Sequence, residues 1–290
     1  MTFQNIPTVN DSTNTHTTST TKQLKTALSI AGFDGSGGAG IQADLKTFSA
    51  TGCYGMTVLT ALPIQNTCGV RSCYDLTISS IQEQLQAIFD DIKPDAIKIG
   101  MLFSTEIIEL VAAFLIQNAK DIPIVLDPVM VAKSGDTLLQ NDAIKALKKS
   151  LIPIVHIITP NLPEAKALVP GDDKNILAKR LLDLGCTSVL LKGGHEDSHT
   201  SDDLFLSARS SEILSAPRIH SKNTHGTGCT LSAAIASFIG QGLSTLDACK
   251  KAKTYLHAAI LHSKDIAIGK GHGPVHHFHH LWKYLPSDKR

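Results

Sequence analysis

At 290 residues, 42% hydrophobic and 18% charged, the chain has the make-up of a globular protein that buries about 75% of its unfolded surface without a disulfide or metal staple. Lys and Arg total 27 against 26 Asp and Glu, a net charge of +1, which argues against an electrostatic nucleic-acid surface, a polybasic membrane patch and an acidic tail. Six cysteines (Cys53, Cys68, Cys73, Cys186, Cys229, Cys249) form no C-x-x-C pair, so they read as reduced thiols of a cytoplasmic protein rather than as a zinc site.

Residues 1–25 carry eight threonines and no apolar run, so a disordered tail without a signal peptide is expected there. No run of eighteen apolar residues follows, which argues against a membrane helix. From Ala27 onward, short β-branched runs alternate with amphipathic stretches. Strands are expected at Ala27–Phe33, Met56–Ile64, Asp95–Ile99, Ile122–Leu126, Ile154–Ile158 and Ser188–Lys192. Helical periodicity falls between them, at Ile41–Ala50, Ile81–Asp91, Thr105–Asn118, Asp142–Lys149, Leu162–Leu168 and Asn175–Leu184. The less regular stretch 202–220 suits an antiparallel hairpin at a sheet edge, and two more helices follow at Thr230–Gly240 and Thr245–Lys264. The alternation predicts a parallel sheet covered on both faces, with residues 26–290 as one α/β domain.

Ligands of such sheets gather beyond the carboxyl ends of the strands, and five segments there could carry chemistry. Gly35, Gly37 and Gly40 spell G-x-G-x-x-G after the first strand, but the second strand ends without the acid that a dinucleotide ribose needs. A loop whose backbone closes on a substrate fits better, with Asp34 and Asp44 either touching ligand or serving as caps. His225-Gly226-Thr227-Gly228-Cys229-Thr230 runs into a helix and offers unobstructed amides where the helix dipole is positive, an anion hole suited to a transferring phosphoryl group. Cys229 falls in the first turn, where the thiol pKa is expected to drop; a glycine-rich helix start with a buried, inert cysteine is the alternative. No Walker lysine accompanies the loop, so the chain is not a P-loop protein.

Asn161 and Glu164, three apart at a helix start, could hold waters around Mg²⁺ or simply form a capping box, and both uses are compatible. Lys192 precedes Gly193-Gly194-His195 at a strand end and could reach phosphates as a point charge, or merely snorkel at the edge. Gln65, ahead of Asn66-Thr67, offers one donor and one acceptor side by side, complementary to an amino group flanking a ring nitrogen; turn formation is the alternative. The run His276-His277-Phe278-His279-His280 has no nearby Cys or acid to complete a metal site.

Taken together, the blocks Ala31-Gly32-Phe33-Asp34-Gly35-Ser36-Gly37-Gly38-Ala39-Gly40-Ile41-Gln42-Ala43-Asp44, Gln65-Asn66-Thr67, Lys98-Ile99-Gly100-Met101-Leu102, Leu126-Asp127-Pro128, Thr159-Pro160-Asn161-Leu162-Pro163-Glu164, Lys192-Gly193-Gly194-His195, Asn223-Thr224-His225-Gly226-Thr227-Gly228-Cys229-Thr230 and Gly271-His272-Gly273-Pro274 resemble the hydroxymethylpyrimidine/phosphomethylpyrimidine kinases of thiamine biosynthesis, in the ribokinase-like superfamily. The resemblance spans about residues 27–282. It implies a three-layer α/β/α sandwich with a mostly parallel central sheet, usually a homodimer, using ATP and Mg²⁺ to phosphorylate a small pyrimidine twice. By the same resemblance Gln65, Asp44 and Gly32 serve the pyrimidine, and Gly226, Thr227, Gly228 and Cys229 are catalytic. Lys192, Asn161 and Thr224 serve ATP and Glu164 the metal. A pyridoxal or pyridoxine kinase of the same superfamily is the alternative. Phe33 and Gly35 depart from the family's pattern inside the glycine loop, and Pro63 removes a backbone donor two residues before Gln65.

Overall fold

The computed structural model describes residues 23–130, 141–194 and 199–284. The segment 1–22, His195, and Val131–Thr137, which by its Ser134-Gly135-Asp136 sequence reads as a turn and a candidate lid, lie outside the described residues. Strand β1 (Thr26–Ala31) is apolar and almost wholly buried, as a strand covered on both faces must be. Helix α1 (Gly40–Thr51) stops at Gly52, which takes the left-handed conformation with φ 92°, and the chain returns as β2 (Tyr54–Leu59) parallel to β1.

Here the single strand expected over Met56–Ile64 divides. Thr60 is buried between Ala31, whose carbonyl accepts its N–H at 3.0 Å, and Met101, whose carbonyl accepts its hydroxyl at 2.6 Å. Beyond it β3 (Ala61–Asn66) leaves the main sheet and pairs antiparallel with β4 (Gly69–Asp75), a strand that its exposed polar sequence did not announce. Pro63 supplies the reason: without an N–H it is unsuited to a central strand but fits this two-stranded flap.

Helices α2 (Ile78–Asp91) and α3 (Thr105–Asn118) begin at Thr77 and Ser104, whose hydroxyls accept first-turn amides. Between and after them come β5 (Ala96–Ile99) and β6 (Ile124–Leu126). Helix α4 (Asn141–Ala146) continues as a wide turn over Leu147–Leu151 and a tight one over Ile152–Ile154, so the next strand, β7, keeps only Ile157–Ile158 of the expected run. Then follow α5 (Leu162–Leu168), α6 (Lys174–Leu182) and β8 (Ser188–Leu191). The hairpin expected in 202–220 is present as β9 (Asp203–Ser207) and β10 (Ser211–Leu214), and α7 (Thr227–Gly240), α8 (Thr245–Ser263) and α9 (His279–Trp282) complete the order.

The eight-stranded sheet runs β10-β9-β8-β7-β6-β5-β1-β2, parallel except at the β9 and β10 edge. Alternate strand residues sort to two cores. Leu28, Ile30, Ile97 and Ile99 pack under α2, α3 and α6, while Ala27, Ala96, Val125 and Ile157 meet α1, α7 and α8. Phe48 of α1 is fully buried in the second core, where truncation to alanine costs about 3–5 kcal/mol. This is the three-layer α/β/α arrangement expected of a ribokinase-like kinase. It brings the carboxyl ends of β1, β5, β6, β7 and β8 and the amino end of α7 to one side, which is where the site lies.

Candidate active site

A cleft of about 690 Å³ opens on that side. At one end stand Gly32, Phe33, Gly40, Gln65 and Met101; at the other, Asp127, Asn161, Glu164, Lys192, Thr224 and the face made by Ala216–Ile219 with Leu256 and Ile260. Gly226, Thr227, Gly228 and Cys229 form the wall between the ends. Of the eleven residues expected to serve the site, all but Asp44 line this cleft.

The glycine loop owes its shape to Asp34. The buried carboxylate accepts from the Ser36 amide and hydroxyl at 2.9 and 2.7 Å, and from the Gly38 and Ala39 amides at 3.1 and 2.7 Å. Burial works to raise this carboxyl, but the hydrogen bonds from His225 and Ser36, the His225 charge and the Ala39 amide hold it well below the usual carboxylate range. Asp34 is thus spent on the loop, and it does not line the cleft. Gly40 has φ 56° and packs on the Gly32 carbonyl so closely that no side chain fits at 40, and the Ile41 amide donates to the same carbonyl at 3.0 Å.

Asp44 lies behind the wall, with no exposure, accepting from Ser29 at 2.5 Å and from Lys98 at 2.7 Å. Burial pushes its carboxyl up, opposed by the Lys98 charge. Lys98 itself, equally buried, is held above its ordinary range because the attraction of Asp44, with Asp127 adding to it, outweighs desolvation. Asp44 therefore reaches the cleft through Lys98, which does line it. Sequence reasoning assigned Lys98 no role. The available signal was a lysine inside the otherwise apolar strand Ala96–Ile99.

Helix α7 begins at Thr227, three residues earlier than the periodicity suggested, because Gly226 caps it with φ 75°. The anion-hole segment is thus the first turn itself, whose amides a helix cannot bond internally. Cys229 departs from expectation. It is partly exposed to the cleft and the Gly40 amide faces its sulfur, yet burial, with Asp44 and Asp127 nearby, pushes its thiol up to about 11 despite Lys98. Desolvation outweighs the Lys98 charge and the Gly40 amide here, which favours the protonated thiol.

At the other end Asn161 and Glu164 do form a capping box. The Glu164 amide donates to Asn161 Oδ1 at 2.8 Å and the Asn161 amide to Glu164 Oε2 at 2.7 Å. Lys192 Nζ donates to Asp127 Oδ1 at 2.9 Å and stands 4.0 Å from Glu164 Oε2. Burial pushes Glu164 up to about 7, with Asp127 adding to the rise and Lys192 opposing it. Asp127, directly after β6, is a second residue that went unassigned; its signal was an acid at the carboxyl end of a strand. Two buried carboxylates sharing one lysine are an oxygen donor set suited to a hard divalent cation with retained waters. The Lys192–Gly193 turn is pinned in turn by Asp203, which accepts from the Gly193 amide at 2.9 Å and from Lys253 at 2.7 Å.

On the acceptor side, Gln65 follows a bulge in β3. Its Nε2 donates to the Phe33 carbonyl at 3.2 Å, which commits one donor of the amide, and the residue lines the cleft. The histidine run is structural: the His277 ring, pushed down to about 3 by burial, bonds Thr230 at 3.1 Å, and its carbonyl accepts from Tyr255 at 2.7 Å. No helix among the described residues is long and apolar enough to cross a membrane.

Residues 34–276 match the family model described as phosphomethylpyrimidine kinase. The hydroxymethylpyrimidine/phosphomethylpyrimidine kinase of Salmonella typhimurium is 50% identical over 262 residues, covering 88% of this chain and 98% of the relative. Among solved structures, the phosphomethylpyrimidine kinase of Clostridium difficile superposes with a TM-score of 0.72 at 42% identity, covering 81% of this chain and 99% of that one. An ADP complex of Bacillus subtilis pyridoxal kinase superposes at 0.80 with 36% identity, covering 88% and 98%. A cleft with a glycine-loop end, a helix-start wall and a lysine–carboxylate end, in a chain so closely matched, leaves one conclusion: the chain belongs to the phosphomethylpyrimidine kinase family, a family of phosphotransferases.

Proposed function

We propose that the protein uses ATP to phosphorylate the hydroxymethyl group of 4-amino-5-hydroxymethyl-2-methylpyrimidine and then converts the monophosphate to the diphosphate, for thiamine biosynthesis. The observation that carries this assignment is the placement of an amide edge, Gln65, and a helix-start anion hole, Gly226–Cys229, in one cleft with Lys192 beyond them. Gln65 Oε1 would accept from the pyrimidine amino group, a hydrogen bond that a ring lacking that donor cannot make. Gly32, Phe33 and Met101 would cover the ring, and the adenosine would lie against Ala216–Ile219, Leu256 and Ile260. The first-turn amides of α7 would receive charge developing on the transferring phosphoryl group. Asn161, Thr224 and Lys192 would hold the donor phosphates, with Lys192 fixed by Asp127.

Asp127 and Glu164 would hold Mg²⁺, which when bound neutralises phosphate charge and relieves the crowding of these two acids. Phosphoryl transfer passes through a loose transition state, so orientation by these residues counts for more than a strong base. The second acceptor is a phosphate oxygen, already anionic. Cys229, as a thiol, would sit in the anion hole during that step; only in the first does the hydroxymethyl O–H proton have to leave, and Cys229 would take it only from its thiolate form, becoming the thiol as it does so. A homodimer in the cytoplasm is part of the same proposal.

The test is turnover of ATP and Mg²⁺ with hydroxymethylpyrimidine, its monophosphate and pyridoxal supplied separately, products being resolved by phosphorus NMR. Both pyrimidine mono- and diphosphate are expected. Turnover of pyridoxal alone would overturn the assignment and make the protein a pyridoxal kinase.

A further inference from the structure

Two glycine-rich loops meet at the floor of the cleft, and one side chain ties them together. A carboxylate only accepts, so His225 donates from Nε2 to Asp34 Oδ2, at 2.7 Å. That same carboxylate organises the Gly35–Gly40 loop, so His225 is bonded to the centre from which the acceptor-side loop takes its shape. The backbone of His225 faces another element. Its N–H donates to the Gly273 carbonyl at 3.0 Å, and the residue bridges Pro274 in parallel. The Gly271 and His272 amides then donate to Thr67, at 3.2 Å to its hydroxyl and 2.9 Å to its carbonyl, at the tip of the flap that carries Gln65.

The packing leaves no slack at this node. A Cβ on Gly38 would overlap the His225 ring, and a Cβ on Gly226 would overlap the Gly38 carbonyl. Asp34 has no exposure and the His225 side chain 13%, so the bond between them is shielded from water and from salt.

We propose that His225 is a positioning residue: through Asp34 and Gly273 it holds the acceptor loop and the flap in register with the anion hole of α7. The proposal rests on the kinase function above, and it adds a residue whose ring is committed to Asp34 rather than to the reacting groups. The anion hole and the acceptor site lie on elements 191 residues apart, joined across the cleft floor by this bond. Transfer in either step requires the two to keep a fixed separation.

The experiment compares wild type with His225→Ala and His225→Gln, since a glutamine amide can donate from near the place of Nε2. A register shift of the order of 1 Å lowers kcat by about 100-fold, so His225→Ala is expected to lose about that factor in both steps while the KM for ATP stays within about threefold. His225→Gln is expected to recover most of the loss, which a role in bulk packing alone would not produce. Amide hydrogen exchange at Gly38 and Ala39 supplies a readout independent of turnover: faster exchange in the alanine variant, restored in the glutamine variant. An alanine variant with unchanged kcat, or a glutamine variant no better than alanine, would overturn the proposal. Should the wild type phosphorylate no pyrimidine, the proposed function fails, and exchange alone then decides: the pattern just described supports the register bond, and unchanged exchange refutes it.

Discussion

Replacing Gly226 by alanine separates backbone geometry at the anion hole from general stability. Gly226 takes φ 75°, which costs a side-chain-bearing residue about 1–2 kcal/mol by itself. The larger effect is steric. The added Cβ would fall inside the Gly38 carbonyl and within 3.2 Å of Ala39 Cα, both backbone atoms that cannot rotate away. Restoring an ordinary C···O separation requires the two loops to part by about 1–2 Å. Displacement of that size is worth about 100-fold or more in kcat. Gly52 is the control, because its φ is 92° but nothing lies within 4 Å of a Cβ there. Gly52→Ala is expected to lose about 1 kcal/mol of stability and no activity. Steady-state kinetics and urea unfolding of the two variants make the comparison. A Gly226→Ala enzyme with nearly wild-type kcat, or one no more impaired than Gly52→Ala, would refute the claim that contact between the two loops sets the site.

Three further outcomes follow from the site. Gln65→Leu removes the amide edge and is expected to raise the KM for the pyrimidine about tenfold or more with little change for ATP; equal KM values would dismiss Gln65 as the ring's partner. Because burial lifts the Cys229 thiol to about 11, iodoacetamide at pH 8 is expected to label exposed Cys68 well before Cys229. If Cys229 takes the hydroxymethyl proton, Cys229→Ser slows the first transfer more than the second. Equal slowing in single-turnover assays would leave the thiol with an anion-hole role only. Glu164 titrates near 7 when folded against about 4.3 in an unfolded chain. Across that window the folded protein binds a proton that the unfolded chain does not, so stability falls as pH rises, by at most about 1.4 kcal/mol per pH unit for this one group. Glu164→Gln, which keeps the capping acceptor, should remove that part of the slope, and urea titrations from pH 4.5 to 8 would show whether it does.

Much of this was legible residue by residue. The glycines at 35, 37, 38 and 40 and at 226 and 228 announced close-packed backbone at strand and helix ends, and Asn161 with Glu164 announced a capped helix start. Such signals are local, since a conformation with positive φ, a cap or an apolar period is decided by residues within a turn of one another. The flap was lost because β4 is polar and exposed, its pairing with β3 being visible only once Pro63 had been kept out of the main sheet.

The sequence by itself determined the order of the main-sheet strands and of the helices that cover them, the loops that bear the chemistry and the family. Tertiary structure alone decided the charges. Asp44 stands 54 residues from Lys98, Asp127 65 from Lys192, and Asp34 191 from His225, and in each pair the partner and the burial come from packing. Cys229 shows the physical reason most plainly. Its place at a helix start suggests a lowered thiol pKa, whereas burial in the assembled wall of the cleft raises it, against the opposing Lys98 charge and Gly40 amide.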